Sequence, residues 1–119
     1  MHSDVTTLLL WQRRAVGLVG FHGPMLERAL GDDEFGAVVE MLTGTERLPV
    51  VRPGGEGGGG SAEGALIGGS LTLVAASLGT PWEIDARGAI LLLEDVGERP
   101  YRIDRLLEQV RCAGVLEQV

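Results

Sequence analysis

The chain has 119 residues, 45% hydrophobic and 23% charged, which is enough for a packed core and too apolar for compositional disorder. Its formal net charge is −7 and its ten basic residues are all arginine with no basic stripe, a pattern that argues against nucleic acid as a partner. Cys112 is the single cysteine, so an internal disulfide and a cysteine-built zinc site are both excluded, as suits a reducing compartment.

In chain order, residues 4–15 place Val5, Leu8, Leu9 and Gln12 at helical spacing with Trp11 and Ala15 alongside, which predicts a helix starting at Asp4. The glycine-bounded apolar run VGLVGF, residues 16–21, reads as a buried strand, followed by an HGP turn. Pro24 then opens a predicted helix to about Leu30, and a further helix is predicted from Asp33 to Leu42. Near Thr43 the character changes. LPVVRP predicts a strand closed by Pro53, GGEGGGGS a flexible surface loop, and residues 63–67 a second strand. Residues 71–78 predict a helix stopped by Gly79 and Pro81. GAILLLED predicts an unbroken apolar, buried strand, residues 89–93, ending on two carboxylates. Ile103, Leu106, Leu107 and Val110 fall at i, i+3, i+4 and i+7 after Pro100, an amphipathic helix. Alternating strands and helices place the chain in the α/β class. Asp4 interrupts the opening too early for a signal peptide, and the apolar runs are too short to cross a bilayer, so a soluble cytoplasmic protein is expected.

Ser3 followed by Asp4 at a helix start is, on residue types alone, an N-cap with a dipole-favoured acid behind it. Read as a nucleophile, Ser3 would need a strand before it and a sharp turn at it. Glu94 stands at the carboxyl end of a predicted strand, where α/β proteins place site residues and where an acid can orient a histidine; it would equally mark the point where the strand meets water, with Asp95 and Glu98. His2 adjoins Ser3 and diverges from it. His22, in FHGP, would complete a Ser3–His22–Glu94 triad if its strand lay beside the serine, and is otherwise a turn residue bonded to backbone. The glycine run lacks the lysine of a phosphate loop and carries Glu56, so a nucleotide site there is disfavoured; Gly68–Ser70, opening a helix, could offer free N–H groups to an anion. No histidine or cysteine pair has metal-ligand spacing.

Taken in order, SDVTTLLLW, GLVGFHGPM, GALIGGSLTLVAASLGTPWEID and GAILLLEDVGERPYRIDRLLEQVRCAGVLEQV resemble the bacterial LD-carboxypeptidases, the serine peptidase family that includes the microcin-immunity peptidases. The resemblance covers nearly the whole chain. It implies a cytoplasmic hydrolase of peptidoglycan recycling that releases the terminal D-alanine of murein tetrapeptides through a Ser–Glu–His triad, without metal or other cofactor. The GxSDxT elbow of the family falls on Ser3, Asp4 and Thr6, making Ser3 the nucleophile and the backbone N–H of Asp4 an oxyanion-hole donor. The acid falls on Glu94. The fold implied is the end of a flavodoxin-like N-terminal domain (residues 1–43), a linker with the glycine loop (44–62), and the front of a swivelling β/β/α C-terminal domain (63–119).

Several departures bear on activity. Met1 and His2 replace the elbow glycine and the bulky residue before the serine, and Ser70 stands where the family has asparagine. The upstream glycine-rich turn and the histidine base, which in the family is not His22, both fall outside these residues. The chain alone is therefore expected to be inactive, since triad members fail as a unit. The alternative is a non-catalytic remnant or interaction module of the same family that self-associates, as a homodimer, through an exposed strand edge.

Overall fold

A computed structural model of the chain describes residues 5–23, 31–44 and 61–119. The elements are α1 (Val5–Val16), α2 (Asp32–Thr43), β1 (Ala65–Ser70), α3 (Leu71–Ser77), β2 (Ala89–Glu94) and α4 (Pro100–Cys112). They fall into two compact units, one of Met1–His22 with Ala62–Val119 and the other of Gly23–Ser61. The predicted helix at 24–30, the strand at 48–53 and the glycine run lie outside the described residues.

In the first unit β1 and β2 form a parallel pair in register from Ala65 opposite Ala89 to Ser70 opposite Glu94. A parallel pair needs a crossover, and α3 supplies it. Ser70 ends β1 and caps α3 at once, its hydroxyl accepting the Leu73 N–H. Leu71, Val74 and Ala75 recur at i, i+3 and i+4 and are buried with Leu10 of α1, Ile67 of β1, Ile84, Ala86, Val110 and Val115. Pro100 opens α4, where its missing N–H costs nothing. Gly114, with φ at 76°, turns the chain back so that Val115 reaches the core. Gln118 then secures the approach to β2, its side-chain oxygen accepting the Ala86 N–H at 2.9 Å and its carbonyl the Gly88 N–H at 3.4 Å.

Helix α1 runs antiparallel to the strands, since Thr6 meets Ser70 at their carboxyl end and Arg14 lies 3.6 Å from Asp85, before β2 begins. The buried positions of α1 are Thr6 and Leu10, one turn apart; Leu8, placed on the predicted apolar face, is exposed. The second unit contributes α2, one residue longer at each end than predicted and opened by the Gly31 carbonyl, which accepts the Phe35 N–H. At its other end the Thr43 hydroxyl donates to the Val39 carbonyl and Gly44 adopts a positive φ.

Three expectations are corrected. Residues 17–23 form no strand, and Leu18, Val19 and Phe21 are exposed. Gly17 takes φ 68° and donates to the Arg13 carbonyl, a helix stop, and no neighbouring strand is present among the described residues to supply a ladder. β1 begins two residues later than expected and runs through Gly68 and Gly69 to Ser70. β2 is not buried on both faces: Leu91 and Leu93 pack against the core, while Ile90 and Leu92, with Leu66 of β1, are 39%, 46% and 55% exposed on the other face.

Candidate active site at the carboxyl end of the strands

Ser3 and Asp4 lie outside the described residues. Thr6, the last residue of the same SDxT run, is fully buried, and its Oγ1 accepts the Ser70 N–H at 3.0 Å. Only glycine permits this approach. A Cβ on Gly69 would lie 2.5 Å from Thr6 Oγ1 and 2.8 Å from its methyl carbon, and one on Gly68 would overlap the Leu92 carbonyl oxygen.

Glu94 ends β2 opposite Ser70 and is half-buried. Its neighbour Asp95 turns to the start of α3. Asp95 Oδ2 accepts the Thr72 N–H at 3.0 Å and the Thr72 hydroxyl at 2.7 Å, while Oδ1 accepts the Val96 N–H at 2.9 Å. Burial pushes the Asp95 carboxyl up, but the Thr72 and Val96 donors, with Arg102 nearby, prevail and hold it below the usual carboxylate range. Of the two carboxylates, Asp95 is therefore committed to structure, a role sequence reasoning missed by treating it as a solvent-facing acid. Glu98 is paired with Arg102 at 2.7 Å.

The anion reading of Gly68–Ser70 is overturned. The N–H groups of Ser70, Thr72 and Leu73 already donate to Thr6, Asp95 and Ser70. His22 lies in the exposed, non-helical stretch after α1, and the strand that was to carry it is absent. Among the described residues no three His, Cys, Asp or Glu side chains converge as metal ligands. No described helix is long and apolar enough to cross a membrane.

An open cleft of about 440 Å³ lies at the opposite, amino end of the strands, between Leu10, Arg13, Arg14, Ile67 and the Glu83–Arg87 loop. Its acids are already engaged: Arg87 chelates Asp85 at 2.6 and 2.7 Å and holds its carboxyl at about 2, and Glu83 accepts the Gly79 N–H at 2.7 Å. Volume favours that cleft, but position in a parallel sheet favours the Glu94 end, where ligands of open α/β folds bind.

Residues 63–119 match the family described as LD-carboxypeptidase C-terminal domain. The chain is 42% identical to a probable murein peptide carboxypeptidase of Bacillus subtilis over 97% of its own length and 38% of that protein's. It is 39% identical to a murein tetrapeptide carboxypeptidase of Pseudomonas aeruginosa over 91% of its length and 39% of that protein's. The crystal structure of a muramoyltetrapeptide carboxypeptidase from Oxalobacter formigenes superposes with a TM-score of 0.82 at 32% identity, covering 98% of this chain and 41% of that one. The chain thus spans about two-fifths of the length of these relatives. Residues 63–119 therefore belong to the LD-carboxypeptidase C-terminal domain family, and the chain as a whole is similar, in sequence and fold, to part of the murein peptide carboxypeptidases.

Proposed function

We propose that this chain carries the nucleophile and the triad acid of a serine-type LD-carboxypeptidase acting on murein tetrapeptide in the cytoplasm, in peptidoglycan recycling. Ser3 attacks the carbonyl that precedes the terminal D-alanine, and the Asp4 N–H helps to stabilise the oxyanion. A histidine outside these 119 residues removes the serine proton and returns it to the leaving amine, and Glu94 orients that histidine and stabilises its charged form. No metal or other cofactor takes part. In this reading residues 1–43 end a flavodoxin-like nucleophile domain, 44–62 link, and 63–119 begin the swivelling C-terminal domain.

The observation that carries the reading is the contact of the SDxT run with the strand pair that ends on Glu94: Thr6 bonds Ser70, and Ser70 stands opposite Glu94. The test is D-alanine release from murein tetrapeptide by the folded chain, and by a chimera in which the chain replaces the matching stretch of the Bacillus subtilis relative. Release from the chimera and none from the chain is expected. Release from the chain alone would place the base within it, and a folded but inactive chimera would refute the reading.

The self-associating module remains a second reading because Leu66, Ile90 and Leu92 line an uncovered sheet face. Such a patch favours association with another apolar surface.

A further inference from the structure

We propose that Thr6 is a positioning residue that sets the spacing between the start of α1, which follows Ser3, and the strand end that carries Glu94. The proposal rests on the reading of Ser3 and Glu94 as partners in one reaction. Three features single Thr6 out. It is fully buried, although polar and in the first turn of a helix that leaves Leu8 and Trp11 exposed. Its hydroxyl oxygen reaches across 64 residues of sequence to accept a backbone N–H rather than one in its own helix. The strand facing it is cut back to glycine at Gly69, so that the Thr6 side chain packs against the strand backbone in space that any Cβ there would occupy.

A threonine that only filled space would not need an acceptor aimed at Ser70. The Ser70 N–H sits one residue before α3, at the end of the ladder, in a part-buried position, and would lose this partner if the hydroxyl were removed. On the other side, Asp95 ties the end of β2 to the start of α3. Thr6 and Asp95 therefore bracket the Ser70–Glu94 pair, and the helix after Ser3 is joined to that bracket through one hydroxyl. Hydrogen-bonded supports of this kind keep reacting groups within the sub-ångström tolerance catalysis requires.

The test measures the spacing directly and needs no turnover. Spin labels are placed on Leu8→Cys and Val96→Cys, both exposed sites, in a Cys112→Ser background. Pulsed dipolar spectroscopy then compares the parent with Thr6→Val, which keeps the shape and loses the acceptor, and Thr6→Ser, which keeps the acceptor. A single narrow distance is expected in the parent and in Thr6→Ser, and a broadened or displaced one in folded Thr6→Val. An unchanged distance in Thr6→Val, even with a lower Tm, would overturn the proposal, since a merely stabilising contact lowers Tm without moving the helix. Broadening in Thr6→Ser would overturn it as well, and that variant decides alone should Thr6→Val not fold. D-alanine release by the chimera tests the Ser3–Glu94 reading separately, so a failed clamp and a failed reading are told apart.

Discussion

Replacing Asp95 isolates the support behind Glu94 without touching Glu94 itself. The carboxylate receives three hydrogen bonds, from the Thr72 N–H at 3.0 Å, the Thr72 hydroxyl at 2.7 Å and the Val96 N–H at 2.9 Å. A bond to a charged group contributes about 1.5–3 kcal/mol when desolvated, and a lost helix cap typically about 1 kcal/mol. Because Asp95 is only half-buried, water replaces part of what is lost. Asp95→Ala is therefore expected to destabilise by about 2 kcal/mol, a fall in Tm of roughly 10 °C for a unit of this size, and Asp95→Asn by about half as much. The pH dependence carries the sharper signature. The folded-state pKa of Asp95 is lowered, so the ionic contribution is fully present above the unfolded carboxylate value of about 4 and is lost as pH falls through the lower folded value. Thermal unfolding followed by circular dichroism from pH 7 to pH 2.5 should give a constant gap between parent and Asp95→Asn at neutral pH that closes under acid. Other carboxylates titrate in both proteins and cancel in the difference. A gap that stays the same at pH 2.5, or an asparagine variant as stable as the parent, would refute the assignment.

Two further outcomes follow from the packing. Gly69→Ala forces a Cβ against Thr6 at a φ of 139° and should lose about 3 kcal/mol in urea titration, whereas Gly97→Ala, at φ 76° with open space around it, should lose only about 1 kcal/mol; equal losses would contradict the close approach of α1. The apparent mass by light scattering should rise with concentration for the parent and remain monomeric for Leu92→Glu, because Leu66, Ile90 and Leu92 share the uncovered sheet face; a parent that stays monomeric throughout would show that the face is tolerated in water.

Elements with a strong local signal were legible in the sequence. Helices α3 and α4 announce themselves by apolar spacing and by Pro100, and β2 by its apolar run ending on carboxylates. The α/β class follows from their order, and the position of Glu94 at a strand end from the run LLLED. The run at 16–21 is apolar enough for a strand, but no strand among the described residues pairs with its backbone. Arg13 and Arg14 followed by Gly17 form a helix-stop signature there instead. The strand expected over 63–67 stops short of Gly68 and Gly69, yet both lie within β1, where other groups crowd against the backbone. Neither the Thr6–Ser70 bond nor the Asp95–Thr72 bonds could be read from periodicity. They join residues 64 and 23 positions apart, and only the fold brings the polar partners together.

The claim that Ser3 and Glu94 act in one triad is tested most directly by a kinetic cycle in the chimera. D-alanine release is measured for Ser3→Ala, Glu94→Ala and the double variant, with folding checked for each. Members of a triad are non-additive, so each single change should lower kcat by at least about 10³-fold and the double variant should lose no more than Ser3→Ala alone. Undiminished release by either single variant, or losses that multiply in the double, would contradict the account.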